Sequence, residues 1–181
     1  AIKSVLEKTP GDIVTNLSTS NTNDDLVKTI GYKNYRTKVG EMAVVEGIIE
    51  HNAIIGGEGG GGVIYPTINL CRDSLTGMAL ILELLAQKNE KLSGLVNELP
   101  HYEFIKTKTP FESDRKEIIE KMVKEFSEGK ADTQDGLRVD FSDSSWVQLR
   151  ASNTEPIIRI WAEAKDKVRA EELLTKAKNC F

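Results

Sequence analysis

Two hydrophobic rhythms divide this sequence of 181 residues, and the change near Pro100 limits the fold more than any other feature. Before it, short apolar runs alternate with stretches of helical spacing. Ile13-Val14-Thr15, Tyr35-Arg36-Thr37 and Ala53-Ile54-Ile55 read as strands. Asp24 to Ile30 and Met42 to Ile49 read as helices, the second with Met42, Val45, Ile48 and Ile49 near one face. The strongest helical signal opens at Asp73 or Ser74, either of which can accept a bond from an unpaired N–H of the first turn. Leu75, Met78, Ala79, Leu82, Leu85 and Ala86 then recur at helical spacing. Leu80, Ile81 and Leu84 widen that surface, which predicts a well-buried helix. Strands that alternate with helices close a core as a largely parallel or mixed sheet with flanking helices. Residues 1–100 are therefore expected to form an α/β domain.

After Pro100 the pattern is different. Tyr102 to Lys106 alternates as a half-exposed strand does. A helix follows from about Ser113 to Glu128, with Ile118, Ile119, Met122, Val123 and Phe126 as its stripe and Gly129 as its stop. Three strand-like runs come next: Leu137 to Phe141, Trp146 to Arg150, and Ile157 to Ala162. A last helix, Asp166 to Lys178, buries Ala170, Leu173, Leu174 and Ala177. The order β-α-β-β-β-α predicts a small α+β domain over residues 101–181, an antiparallel sheet with two helices.

Composition narrows the function classes. The formal net charge is −4, which argues against a nucleic-acid partner, since that usually needs a basic face. It leaves room for a small anion, because a few local donors can hold a phosphate inside an acidic protein. No apolar run reaches the roughly 18 residues of a membrane span, so no membrane partner is expected. Cys71 and Cys180 are far apart and lack metal-ligand spacing, which fits free thiols in a reducing, cytoplasmic setting. The first residue is Ala1 rather than Met, which fits a fragment or a processed product. His51 and His101 have no partner spacing, Trp146 and Trp161 fit strand packing, and the lysine-rich helix from Arg115 fits a solvated face.

The run Gly56-Gly57-Glu58-Gly59-Gly60-Gly61-Gly62 stands out. Gly57, Gly59 and Gly62 satisfy G-x-G-x-x-G, but a dinucleotide site needs that motif to open a helix. Val63-Ile64-Tyr65-Pro66 follows instead and reads as a strand, so the match fails. Without G-K-[ST], a triphosphate loop is excluded too. Two readings fit what is left. One is a flexible linker with a solvated Glu58. The other is a backbone open to close approach by a ligand, with Glu58 accepting hydrogen bonds from sugar hydroxyls.

Arg150-Ala151-Ser152-Asn153-Thr154-Glu155-Pro156 lies between two strand-like runs. It gathers a guanidinium, hydroxyls, an amide and several N–H groups in one turn, as an oxyanion nest requires. Arg150 can add a bidentate, charge-assisted pair to a phosphate. Ordinary turn chemistry with an exposed strand-end Arg fits the same residues. Arg159 on the next strand fits either the same pocket or a solvated charge.

Taken together the two loops carry a resemblance. Arg150 to Pro156 followed by an apolar strand resembles the R-x-S-N-T-E-P phosphate-binding signature of the α-D-phosphohexomutases. Gly56-Gly57-Glu58 resembles their sugar-binding G-G-E loop, and Arg72-Asp73 opening an apolar helix looks like their R-D-[GA] element. Thr37-Lys38-Val39-Gly40-Glu41 looks like their T-x-V-G segment; Asn16 to Ser20 and Asp135-Gly136 also fit. The resemblance runs the length of the chain, in order, and corresponds to the third and fourth of that family's four domains. It implies an α/β sugar-binding domain, whose first strand could lie upstream of Ala1, and a TATA-binding-protein-like α+β phosphate-binding domain. Gly60 and Gly62 stand where the commonest form, G-E-x-S-G-H, has Ser and His, which leaves the choice among glucose, mannose and glucosamine phosphates open.

What the resemblance implies chemically is a division of labour. Members interconvert hexose 1- and 6-phosphates through a phosphoserine, with a hexose 1,6-bisphosphate as intermediate and activator and Mg²⁺ on a D-x-D-x-D loop. Neither an S-H-N-P serine loop nor D-x-D-x-D occurs in this sequence. No catalytic or metal-binding residue is therefore expected here, and Mg²⁺ would belong to a domain absent from the chain. Arg150, Ser152, Asn153 and Thr154 would hold the phosphate that is not being transferred. Glu58 and Gly60 would meet the sugar, with Lys38 and Glu41 close by. The partners implied are a hexose phosphate and the N-terminal domains of the same protein. The expected function is the binding half of a phosphohexose mutase, inactive by itself; the alternative is a free-standing, non-catalytic sugar-phosphate-binding module.

Overall fold

A central strand that is apolar on both faces organises the first unit, Ala1–His101. β1 (Ile13–Asn16) is buried at every position, as expected of a parallel strand covered from both sides. It pairs in parallel with β2 (Asn34–Thr37) and with β3 (Ile55–Gly57), and β3 pairs antiparallel with β4 (Val63–Ile64). The sheet order is β2-β1-β3-β4, mixed but mostly parallel. Five helices accompany these strands, and two faces of the sheet decide the packing. Ile13 and Ile55 join Val5, Leu6, Val27 and Leu80 on one face, beneath α1 (Ile2–Lys8), α2 (Thr22–Lys28) and α4 (Ser74–Lys88). Val14 and Ile64 join Val44, Val45 and Ile48 of α3 (Glu41–His51) on the other. A short α5 (Leu92–Asn97) follows α4. The computed structural model describes residues 1–111, 115–152 and 156–181, excluding the side chain of Arg115.

Several local expectations are corrected. The third strand runs over Ile55–Gly57 rather than from Ala53, so Gly56 and Gly57 are sheet rather than loop. A Cβ on Gly56 would lie 2.6 Å from Ile48 Cδ1 and 3.0 Å from the Val14 carbonyl, so glycine here lets α3 seat on the sheet. The second helix is Thr22–Lys28 instead of Asp24 to Ile30. In α3 the packed residues are Val44, Val45, Gly47 and Ile48, while Met42 and Ile49 are exposed. In α4 the expected stripe is the solvent face: Leu75 is 74% and Leu82 65% exposed, and Leu80 and Leu84 carry the packing. Asp73 caps that helix by accepting from the N–H groups of Leu75 and Thr76 at 2.9 and 3.1 Å.

The second unit, Tyr102–Phe181, is a five-stranded antiparallel sheet with two helices on one face. Its elements are β5 (Glu103–Pro110), α6 (Arg115–Glu125), β6 (Lys130–Asp132), β7 (Leu137–Asp140), β8 (Trp146–Ala151), β9 (Ile157–Ala164) and α7 (Lys167–Lys178). The sheet order is β5-β9-β8-β7-β6. The edge strand β5 reaches Pro110, beyond the expected Lys106, and proline is tolerated at such an edge. β6 was not expected, because Lys130-Ala131-Asp132 has no apolar alternation; it is an edge strand paired only with β7. Alternation sorts the central strands. Leu137, Val139, Val147, Leu149, Ile158, Ile160 and Ala162 meet Ile118, Met122 and Phe126 of α6 and Leu173, Leu174 and Ala177 of α7. Val123 of the expected α6 stripe is exposed instead. The opposite face is polar but organised: Arg138, 1% exposed, pairs with Asp140 at 2.7 Å and lies over the Trp146 ring, whose Nε1–H donates to Glu163 at 2.8 Å.

Candidate functional site

The carboxyl ends of parallel strands are where open α/β sheets form ligand crevices. In the first unit these ends converge on Glu58. β1 finishes at Asn16, whose Oδ1 accepts from the Ser18 N–H at 3.0 Å and the Thr19 hydroxyl at 2.9 Å. That bond pattern leaves Asn16 Nδ2 to donate to Glu58 Oε1 at 3.0 Å. β2 continues through Lys38 and Val39 to Gly40, whose N–H donates to the same oxygen at 3.2 Å. β3 runs straight into Glu58, and Arg72, just ahead of α4, donates from Nη1 to Glu58 Oε2 at 3.1 Å. The Glu58 side chain is only 10% exposed. Its carboxylate is fixed by donors from three separate segments yet keeps acceptor capacity for a further donor.

Arg72 is shared with a second carboxylate. Its N–H donates to Glu41 Oε1 at 2.8 Å and its Nε to Glu41 Oε2 at 3.0 Å. The backbone N–H of Arg72, then its guanidinium, holds the Glu41 carboxyl below the usual carboxylate range. The hydrogen bond to Glu41 and the charge of Glu58 hold the Arg72 guanidinium above its ordinary value. Glu41 and Glu58, both expected near the sugar, thus meet at one guanidinium. Lys38 is exposed on the β2–α3 loop. Gly60 is at the tip of the β3–β4 hairpin, facing open space. The hairpin is closed by bonds from the Glu58 N–H to the Gly62 carbonyl and from the Gly61 N–H to the Glu58 carbonyl, which excludes a loose linker over these residues. A cavity of about 290 Å³ adjoins Glu58, but Ile2, Leu26, Val63, Ile81 and Leu99 give it mainly aliphatic walls. The polar groups lie instead at the rim formed by the strand ends.

In the second unit Arg150 lies on β8 and Ser152 just beyond it. The Ser152 N–H donates to the Ile157 carbonyl at 2.9 Å, closing the base of the turn, and the Ser152 side chain is buried. Asn153 and Thr154 lie outside the described residues. The register sets Arg150 directly opposite Arg159, so both side chains leave the same face of the sheet. Like charges directly opposite destabilise a sheet, which an anion between them would relieve. Arg150 Nε is engaged by both oxygens of Asp135 at 3.1 and 3.0 Å, an ion pair that sequence reasoning missed. It also missed Asn16, Gly40 and Arg72 as the groups that hold Glu58; their common signal is that each ends a strand or lies just ahead of a helix at one sheet edge. Among the described residues no group of three or more His, Cys, Asp and Glu could hold a metal ion.

The family model for phosphoglucomutase/phosphomannomutase alpha/beta/alpha domain III matches residues 1–102, and that for the C-terminal domain of the same proteins matches residues 109–178. A phosphoglucomutase/phosphomannomutase of Thermococcus kodakarensis is 47% identical over 167 residues, covering 91% of this chain and 36% of that protein. A phosphoglucosamine mutase of Methanocaldococcus jannaschii is 37% identical over 177 residues, covering 95% and 39%. The crystal structure of a phosphoglucomutase/phosphomannomutase family protein from Burkholderia thailandensis superposes with a TM-score of 0.82 at 24% identity, over 99% of this chain and 39% of that one. The chain thus spans well under half the length of these relatives. It belongs to the phosphoglucomutase/phosphomannomutase family, of which it carries domain III and the C-terminal domain.

Proposed function

We propose that this chain is the sugar- and phosphate-binding half of a phosphohexose mutase that interconverts hexose 1-phosphate and hexose 6-phosphate. The observation that carries the proposal is the largely buried, triply anchored carboxylate of Glu58 at the carboxyl edge of the sheet. A carboxylate held at fixed orientation with acceptor sites to spare suits adjacent sugar hydroxyls better than it suits an anion. Arg150 and Arg159, paired across β8 and β9, supply the complementary positive site for the phosphate that is not being transferred. Ser152 follows Arg150 just beyond β8, and Asn153 and Thr154, which continue the run in sequence, lie outside the described residues. Binding the remote phosphate and the ring hydroxyls orients the reacting phosphate at a serine carried by a different domain. In this reading Mg²⁺, which would stabilise the phosphoryl group's charge, would be held by a domain outside this chain.

Titration of the chain and two variants with inorganic phosphate and with glucose 6-phosphate tests the division. Arg150→Ala is expected to weaken both ligands by about 2–4 kcal/mol, the range for truncating a desolvated charged pair. Glu58→Ala is expected to weaken glucose 6-phosphate while leaving inorganic phosphate nearly unchanged. Equal weakening of both ligands by Glu58→Ala, or unchanged anion affinity in Arg150→Ala, would overturn the assignment.

A further inference from the structure

Arg36 lies on β2, and the turn that holds Glu58 is built around its guanidinium. Its Nη1 donates to the carbonyls of Asn16 at 3.0 Å and Thr19 at 2.6 Å. Its Nη2 donates to the Ser20 carbonyl at 3.4 Å and to Asn21 Oδ1 at 3.0 Å, and pairs with Asp24 in the first turn of α2. The side chain is largely buried. Backbone carbonyls that converge on one point repel one another and need donors, and a planar guanidinium presents several in a fixed fork. A lysine ammonium, a compact point donor, cannot span the same set.

The turn held in this way supports the site at two places. Asn16 donates to Glu58 Oε1, and its own Oδ1 is fixed by the Ser18 N–H and the Thr19 hydroxyl within the turn. The turn is also the floor of the glycine hairpin: a Cβ on Gly59 would lie 2.4 Å from the Ser18 carbonyl oxygen. A shift of the turn therefore moves both the orientation of Glu58 and the seat of the hairpin that carries it. We propose that Arg36 is a positioning residue for sugar recognition, which sets the Glu58 carboxylate by clamping the Asn16–Asn21 turn. This rests on the reading of Glu58 as the sugar ligand. A ligand-contacting group is only as well placed as the shell that supports it.

The test compares Arg36→Met, Arg36→Lys and Glu58→Ala in the 181-residue chain. Two readouts are taken: the amide NMR signals of Gly40 and Ser18, and affinities for glucose 6-phosphate and inorganic phosphate. In Arg36→Met the Gly40 amide is expected to move toward its position in Glu58→Ala, and glucose 6-phosphate affinity to fall about tenfold, the loss of one charge-assisted contact. Inorganic phosphate affinity is expected to hold, because its ligands lie in the other unit. Arg36→Lys is expected to be intermediate on both readouts, and it answers the question should the Met variant fail to fold. Wild-type Gly40 and Ser18 signals in either variant would overturn the proposal, as would equal loss of sugar phosphate and inorganic phosphate. If Glu58→Ala left glucose 6-phosphate affinity unchanged, the sugar reading of Glu58 would fall, while the amide signals would still decide whether Arg36 sets the carboxylate.

Discussion

Arg150 illustrates how a single residue can carry two duties that sequence shows only one of. A guanidinium in a turn rich in donors suggests a phosphate ligand, and that much is visible in the Arg150 to Pro156 run. Asp135, fifteen residues earlier, also binds its Nε, and the pair is largely buried. Arg150→Ala therefore strands a carboxylate as well as removing a ligand. It is expected to lower stability by about 1–2 kcal/mol, in the range for a hydrogen-bonded charged group losing its partner. Asp135→Asn keeps an acceptor oxygen and should cost less. Urea denaturation of both variants checks the order; equal midpoints for Arg150→Ala and wild type would mean the ion pair contributes nothing to folding. Glu58 and Arg72 teach the same lesson. Glu58 stands out in sequence as the lone carboxylate of a glycine run, which left a solvated linker open, whereas Arg72 reads locally as one more charge before a helix.

At the scale of elements, α4 separates amphipathic period from direction. Leu75, Met78 and Leu82 keep a regular helical spacing, but so do Leu80 and Leu84, and only one of the two rows can face the sheet. Spacing establishes that a helix forms and is silent about which apolar row is buried when both sides are apolar. Leu84→Ala is expected to cost about 2–5 kcal/mol, as buried Leu truncations do. Leu82→Ala, at an exposed position, should stay within about 0.5 kcal/mol. Thermal unfolding of the two variants distinguishes them, and a larger effect at Leu82 would mean that its row is covered in solution. The third strand shows the converse. Glycines weaken a strand reading, so the run from Gly56 was expected to be loop, but the close approach of α3 at Gly56 and of the Gly62 carbonyl at Gly57 makes glycine the residue that fits the sheet.

For the whole molecule, acid should be destabilising. Hydrogen bonds hold the carboxyl groups of Glu41, Asp73 and Asp143 below their usual values: the Arg72 N–H for Glu41, the Thr76 N–H for Asp73, and Ser145 with Arg169 against the cost of burial for Asp143. A carboxyl whose folded pKa is depressed stabilises the fold above its unfolded value, about 4, and that contribution is lost as pH falls through the folded value. The urea midpoint is therefore expected to drop between about pH 5 and pH 2, and a flat profile there would contradict these bonds. A second expectation concerns activity. With neither a Ser-His-Asn-Pro loop nor an Asp-x-Asp-x-Asp run, the chain should show no turnover of glucose 1-phosphate with Mg²⁺ and a trace of the 1,6-bisphosphate. Turnover near that of a full-length relative would sink the idea that the transferring serine lies elsewhere. The two fold classes could be read from the sequence because hydrophobic period is local: alternation of two in β7, β8 and β9, and spacing of three to four in α7, are written in neighbouring residues. The family was legible from the two loops taken together, since ordinary turn or linker chemistry fits either run alone. The tertiary structure alone decided which face of α4 is buried, that Arg150 meets Asp135 and Arg159, and that Asn16, Gly40 and Arg72 converge on Glu58. Those facts depend on residues brought together by strand register and helix packing across gaps of nine to forty-two positions, distances over which no local pattern carries information.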